Sequence, residues 1–242
     1  MHAVVLLSGG LDSTTVAAHA VREGHVVRAL CIRYGQLHER ETASAEAVAA
    51  RLGIPIDVVD ASFYRDLAWH SSLTGRESRA LPANRPAEAM AADIPTTYVP
   101  LRNTFFVTLA AAALESWMLA LVERDGVDPA SLKPAIYVGA NAVDYSGYPD
   151  CRPEFYEAIE TVLFRGSKLG AQYGVVIRVE APIIHMGKAE IVRHGLSLGA
   201  PLELTWSCYA GGTRPCGTCD SCLLRAAGFA VAGVADPALA VP

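Results

Sequence analysis

Residues 7–15 read Leu7-Ser8-Gly9-Gly10-Leu11-Asp12-Ser13-Thr14-Thr15 and follow a short apolar run. Where a strand gives way to a helix, unpaired backbone N–H groups and the positive helix end converge, so such a junction takes up an anion. Gly9 and Gly10 remove the Cβ atoms that would keep phosphate oxygens away, and the Ser8, Ser13 and Thr14 hydroxyls add donors. A carboxylate beside phosphates is repulsive unless a cation lies between them, which assigns Asp12 to Mg²⁺. The segment has neither the G-K-[ST] of a Walker loop nor the G-x-G-x-x-G spacing of a dinucleotide site. A bare Ser-Gly-Gly is equally an ordinary turn with Ser13 as helix cap. The full length of the motif is what argues for phosphate.

Lysine is scarce here, with only Lys133, Lys168 and Lys188 present. Lys188 follows His185-Met186-Gly187 and starts a helical pattern, where it would balance charge on a departing pyrophosphate. On spacing alone, a solvated helix lysine is the commoner outcome.

Cys208, Cys216, Cys219 and Cys222 are spaced C-x7-C-x2-C-x2-C, four of the six cysteines. Two-residue gaps let thiolates converge on one centre, and a fourth from upstream completes a tetrahedron around Zn²⁺ with no open position, hence a structural ion. The alternatives are an iron-sulfur cluster, whose usual run continues x3-C-P as this chain does not, and free or redox-active thiols. Cys31 reads as a small core residue, and Cys151 as non-catalytic.

Residues 141–155 crowd acids, aromatics and an arginine just after a strand, the edge where open α/β sheets bind ligands. Asp144 would accept paired N–H bonds from an amidine-like edge, Tyr145 and Tyr148 would stack on a planar ring, and Arg152 would pair with a carboxylate. The same residues also suit an ordinary turn. Arg102 and Asn103, just before a helix, are placed to meet phosphate or nucleoside, although Asn103 alone is also a good helix cap.

These side chains need a scaffold, and the pattern supplies one. Strand-length apolar runs at 3–7, 26–32, 56–60, 135–139 and 175–180 alternate with helical segments at 13–22, 39–52, 103–122, 155–166 and 188–198, which is the signature of a parallel α/β sheet. A last helix is expected over 221–231. Residues 60–102 are polar, proline-rich and without period, as in a functional loop or lid near the site. The division expected is a main domain over 1–200 and a four-cysteine segment over 201–242 packed on it.

With 242 residues, 52% of them hydrophobic, the chain has ample core for one large domain. A formal net charge of -5 without basic runs disfavours nucleic acid as partner and favours small molecules. The apolar stretch at 105–122 is broken by Glu115 and Ser116, so it reads as a buried core helix and not a membrane span. No secretory leader is visible at the start, which with clustered cysteines points to the reducing cytoplasm.

The S-G-G-L-D-S loop resembles that of the PP-loop ATP pyrophosphatase superfamily. That resemblance implies a Rossmann-like sheet of the adenine nucleotide alpha hydrolase kind, and AMP and pyrophosphate as products. With it come, in order, Y-G-Q-L-H at 34–38, S-S-L-T at 71–74, Y-V-P-L-R-N at 98–103, D-Y-S-G-Y-P-D-C-R-P-E-F at 144–155, G-K-A-E-I at 187–191, S-C-Y at 207–209 and C-G-T-C-D-S-C-L-L-R at 216–225. This ordered set resembles the 7-cyano-7-deazaguanine synthase family of queuosine biosynthesis from about residue 4 to 229. The resemblance implies adenylation of 7-carboxy-7-deazaguanine, displacement of AMP by ammonia, and a second activation that ends in a nitrile. It also implies a homodimer. A related enzyme adenylating a tRNA base or a protein end, or a nucleotide-binding module without turnover, are the alternatives. Two departures stand out: Leu101, where the family usually has a small residue, and a longer connector over 123–134.

Overall fold

The protein is described by a computed structural model covering residues 1–36, 40–74, 81–86, 94–143 and 148–239. Five strands, β1 (His2–Leu6), β2 (Val26–Arg33), β3 (Ile56–Asp60), β4 (Pro134–Tyr137) and β5 (Arg178–Glu180), form one parallel sheet in the order β3-β2-β1-β4-β5. The first strand is therefore central, and the order reverses beside it. Alternate residues feed opposite faces. Ala3, Val5, Val27, Ala29 and Cys31 join one buried cluster, while Val4, Leu30 and Ile32 join the other. A sheet buried on both sides needs helices on both sides.

Among the described residues the helices are α1 (Leu11–Arg22), α2 (Arg40–Leu52), α3 (Tyr64–Leu67), α4 (Arg102–Glu123), α5 (Pro153–Gly166), α6 (Lys168–Tyr173), α7 (Lys188–Ser197) and α8 (Asp220–Ala232). Residues from α1, α2, α7 and α8 bury on one face, and residues from α4, α5 and α6 on the other. The expected alternation is borne out. Two short helices, α3 and α6, escape periodicity because neither is long enough to show it. Ser167 caps α6 by accepting from Gly170 N–H at 3.0 Å, and Gly174 ends it at φ +68°. The strand expected over 175–180 pairs only from Arg178, because its neighbour β4 starts at Pro134, and Ala135 is what faces Arg178.

Helix α4 corrects one expectation. It is long and apolar enough to span a membrane by composition, yet it buries only a stripe of Val107, Ala110, Ala111, Leu114 and Met118 against the sheet side. Ala112, Ala113, Thr108 and Ser116 face outward. A run of small residues exposes little apolar area per residue, so the opposite face tolerates exposure.

Leu101, the residue before α4, sits at φ +55° with 64% of its surface exposed. It is not among the residues that line the cavity described below and does not narrow it. What it carries is backbone strain, since left-handed backbone costs a branched L-residue roughly 1–2 kcal/mol. We expect Leu101→Gly to raise the unfolding free energy by about 1 kcal/mol, read as a shift in the denaturant midpoint at constant slope. The connector over 123–134 enters β4 at its start, the sheet end opposite the cavity, and closes with a turn over Pro129–Ser131 capped by Asp128.

Candidate active site

The carboxyl ends of β1, β2 and β4 open into a cavity of about 280 Å³ at the point where the strand order reverses, the position where open α/β sheets bind ligands. Its floor is the loop from Leu7 to Ser13. Gly9 adopts φ +81°, and a Cβ there would lie 2.4 Å from the Glu41 carbonyl oxygen, so α2 can press against the loop only because the residue is glycine. Gly139 does the same on the other side, where a Cβ would come within 2.9 Å of Ser13 N. The loop's donors are turned on one another: Ser8 N–H donates to Ser13 Oγ at 3.2 Å, Gly10 N–H to Ser8 Oγ at 3.3 Å, and the two hydroxyls lie 3.0 Å apart. These are the groups an incoming phosphate would engage.

Lys188, the first residue of α7, places its Nζ 3.0 and 2.9 Å from the two carboxylate oxygens of Asp12. The two residues that the sequence analysis gave separate tasks thus meet at the cavity edge. Gly187 N–H donates to Glu190 at 2.7 Å, which fixes the helix start that aims the lysine. Gly228 of α8 lies directly behind, and a Cβ there would sit 2.4 Å from Lys188 Cγ. Gly228→Ala should therefore displace Nζ and slow turnover about tenfold or more while the far-ultraviolet spectrum is unchanged, because small misplacements at a reacting centre cost that much. A parental rate in that variant would contradict the packing.

Arg102 and Asn103 both reach the cavity wall. Burial opposes the Arg102 charge, but Tyr34, Tyr148, Asp150 and Cys151 more than offset it, so the guanidinium stays protonated and lies over the Tyr34 ring. Asn103 Nδ2 donates to the Asp150 carbonyl at 2.9 Å, while Asp150 Oδ2 accepts the Asn103 N–H at 3.2 Å and caps α4. The second Asp150 oxygen is buried without a partner. Burial, helped by the Asp150 charge, pushes the Cys151 thiol up to about 11, so it is neutral near pH 7, in keeping with a non-catalytic role. Glu41, also on the wall, is raised to about 7 by burial against the opposing pull of Arg102.

Other expected site residues lie elsewhere. Thr14 and Thr15 are fully buried inside α1 and off the cavity wall, with Thr15 Oγ1 donating to the Leu11 carbonyl at 3.0 Å. A helical backbone turns these side chains away from the loop. Arg152 is exposed at the start of α5 and does not line the cavity, whereas Tyr148 does. Asp144 and Tyr145 lie outside the described residues. Sequence reasoning missed Glu41, Leu73, Phe106, Tyr156 and Trp206 on the wall; the only signals were the nearby Y-G-Q-L-H, S-S-L-T and S-C-Y motifs. Residues 71–74 are buried, with Ser72 N–H bonded to the Thr96 carbonyl at 2.9 Å.

Cys208, Cys216, Cys219 and Cys222 bring their sulfurs within 4.8 Å of one another. The Cys216 and Cys222 sulfurs are 4.0 Å apart, close to the roughly 3.8 Å edge of a tetrahedron with 2.3 Å Zn–S bonds. Cys216 N–H points at the Cys208 sulfur at 3.3 Å and Cys219 N–H at the Cys216 sulfur at 3.4 Å, as thiolates require. The donor set fits a metal. The segment that carries it is not remote: Trp206 N–H donates to the Gly9 carbonyl at 2.9 Å, Phe229 buries in the main core, and Trp206 and Tyr209 line the cavity.

A phosphate loop without a Walker lysine, answered by a lysine from a distant helix at the sheet's reversal point, defines a PP-loop type of ATP-using α/β protein. Residues 2–233 match the family described as Queuosine biosynthesis protein QueC, and the chain belongs to that family. It is 46% identical to the 7-cyano-7-deazaguanine synthase of Thermoplasma acidophilum over 97% of this chain and 90% of that one. It is 45% identical to the protein of the same name from Trichodesmium erythraeum over 98% and 99%. Among solved structures, NMN synthetase from Francisella tularensis aligns over 97% of this chain and 78% of its own at 14% identity and a TM-score of 0.43, a distant likeness.

Proposed function

We propose that this chain converts 7-carboxy-7-deazaguanine and ammonia into 7-cyano-7-deazaguanine, splitting ATP to AMP and pyrophosphate at each of two activations. The observation that carries the reading is Lys188 Nζ seated on Asp12 at the mouth of the glycine loop. A mobile cation beside a set of phosphate donors is suited to follow charge onto a departing pyrophosphate.

The acid's carboxylate oxygen attacks the α-phosphorus, and pyrophosphate leaves with its charge met by Lys188, by the N–H groups of Ser8 and Gly10 and by the Ser8 and Ser13 hydroxyls. Ammonia adds to the acyl carbon, AMP departs, and a proton is lost to give the amide. The amide oxygen then attacks a second ATP, and loss of AMP with the remaining N–H protons leaves the nitrile. Esterification to AMP is needed because a carboxylate or amide oxygen is otherwise a poor leaving group. Arg102 is the cation placed to meet the acid or its phosphate ester, while Phe106, Tyr148 and Tyr156 offer faces for the planar ring. Asp12 would hold Mg²⁺, which would neutralise phosphate charge, once Lys188 transfers to the pyrophosphate. The four thiolates would hold a structural Zn²⁺. Free thiols throughout suit a cytoplasmic protein, and the homodimer follows from the resemblance alone.

Purified protein given ATP, ammonium and the acid should yield the nitrile, AMP and pyrophosphate in mass and phosphorus spectra. ADP with orthophosphate would overturn the reading, as would AMP formed only with a tRNA or protein acceptor.

A further inference from the structure

Residues 81–86, an island of the long connection between α3 and α4, lie against the cysteine knuckle. Ala83 forms an antiparallel bridge with Cys219. Asn84 N–H donates to the Thr218 carbonyl at 2.8 Å. Arg85 Nε donates to Asp220 Oδ1 at 3.1 Å, and its Nη2 donates to Oδ2, giving a two-pronged pair with a carboxylate that is only 3% exposed. Three successive residues thus engage three successive residues of the knuckle, one of them a thiolate donor. Asn84 holds φ +54°, a backbone state that persists in a non-glycine residue only where surrounding contacts enforce it.

Tyr209, which lines the cavity, packs against the cysteine cluster that residues 83–85 engage, and the Arg85 guanidinium lies within electrostatic reach of the Tyr209 and Tyr148 phenols, both of which line the cavity. Tyr148 is fixed from its other end by a 2.6 Å bond between its hydroxyl and that of Thr97. Part of the cavity lining therefore adjoins the same metal knuckle that anchors residues 81–86.

We propose that Arg85 is a positioning residue: paired with Asp220, it fastens residues 81–86 to the four-cysteine knuckle and so keeps Tyr148 and Tyr209 shaped to receive the acceptor. Metal occupancy and acceptor binding are thereby coupled, although no thiolate touches the acceptor. Removing the guanidinium leaves Asp220 buried without its counter-charge, and the segment loses the contact that holds it to α8.

Hydrogen exchange on the full-length, zinc-loaded chain tests this. In Arg85→Ala, exchange across 81–86 should rise about tenfold or more while β1 is unchanged, since local opening need not involve the core. Cobalt substituted for zinc should show the same thiolate absorption as the parent, which certifies an intact knuckle. The KM for the acid should rise about tenfold with kcat within about threefold, the sign of lost acceptor binding, and the ATP Kd should hold. Arg85→Lys, which keeps the charge without the paired bonds, should fall between. Chelating the metal from the parent should raise exchange at 81–86 to the level of Arg85→Ala. Unchanged exchange at 81–86 after either treatment, or a loss in kcat with an unaltered KM, overturns the proposal. The KM arm rests on the acceptor named above, but the exchange and cobalt readings do not, so failure of that assignment leaves them decisive.

Discussion

Lys188→Met should cut pyrophosphate release about 100- to 1000-fold in a single turnover, the usual cost of removing one preorganised electrostatic partner of the transition state. The lysine is the only basic side chain of α7 that meets the glycine loop through a resolved contact, with both Asp12 oxygens within 3.0 Å. Methionine keeps most of the stem's volume against Gly228, so the loss would be of charge and not of packing. The ATP Kd should move far less than the rate, because the loop's N–H groups remain. Asp12→Asn should give a loss of similar order, and the double variant should lose less than the two effects multiplied, since the pair acts as a unit. A Lys188→Met enzyme within threefold of the parent would remove the lysine from the chemistry.

Removing the metal should be the largest single insult to stability. Cys208 and Cys219 are 1% and 3% exposed, so without a cation the buried thiolates must take up protons and the bonds that tie the knuckle together are lost. Breaking a buried charge set costs about 3–5 kcal/mol, which for a chain of this size lowers the melting midpoint by about 6–20 °C. Cys219→Ser or a tight chelator should show this in a thermal scan. Nucleotide affinity should fall with it, because Trp206, two residues before Cys208, is bonded to Gly9 of the loop. A demetallated chain that melts where the parent does and binds ATP equally well would limit the cysteines to a local role.

The strands were legible because both faces are covered, which leaves dense apolar runs such as residues 3–7, closed by a glycine turn. The loop and the four cysteines were legible because their chemistry depends on neighbours in sequence. Arg102 and Asn103 could be placed at the wall for the same reason, since they start a long helix beside a proline turn. The remainder of the site was hidden because it is assembled across the chain. Glu41 faces the cavity only because Gly9 admits α2 so closely. Arg152 looked suited to a carboxylate by type, yet the turn over Pro149–Cys151 starts α5 with that side chain outward. Thr14 shared the loop's composition, but the helix begins at Leu11 and rotates it into the core. In each case the local pattern was sound and the direction of the side chain was decided by a partner distant in sequence.

Of the five strands of the sheet, β1 leaves the ribosome before the others and occupies the middle, with His2 beside both Val26 and Pro134. At about 5–20 residues per second, its second neighbour emerges on the order of ten seconds after the first. Throughout that interval one edge of β1 lies open, and Gly139, which closes over Ser13, has not been made. A nascent chain shorter than this carries the glycine turn without its far wall, so the capacity to grip nucleotide arrives late in translation and not with the residues that spell it.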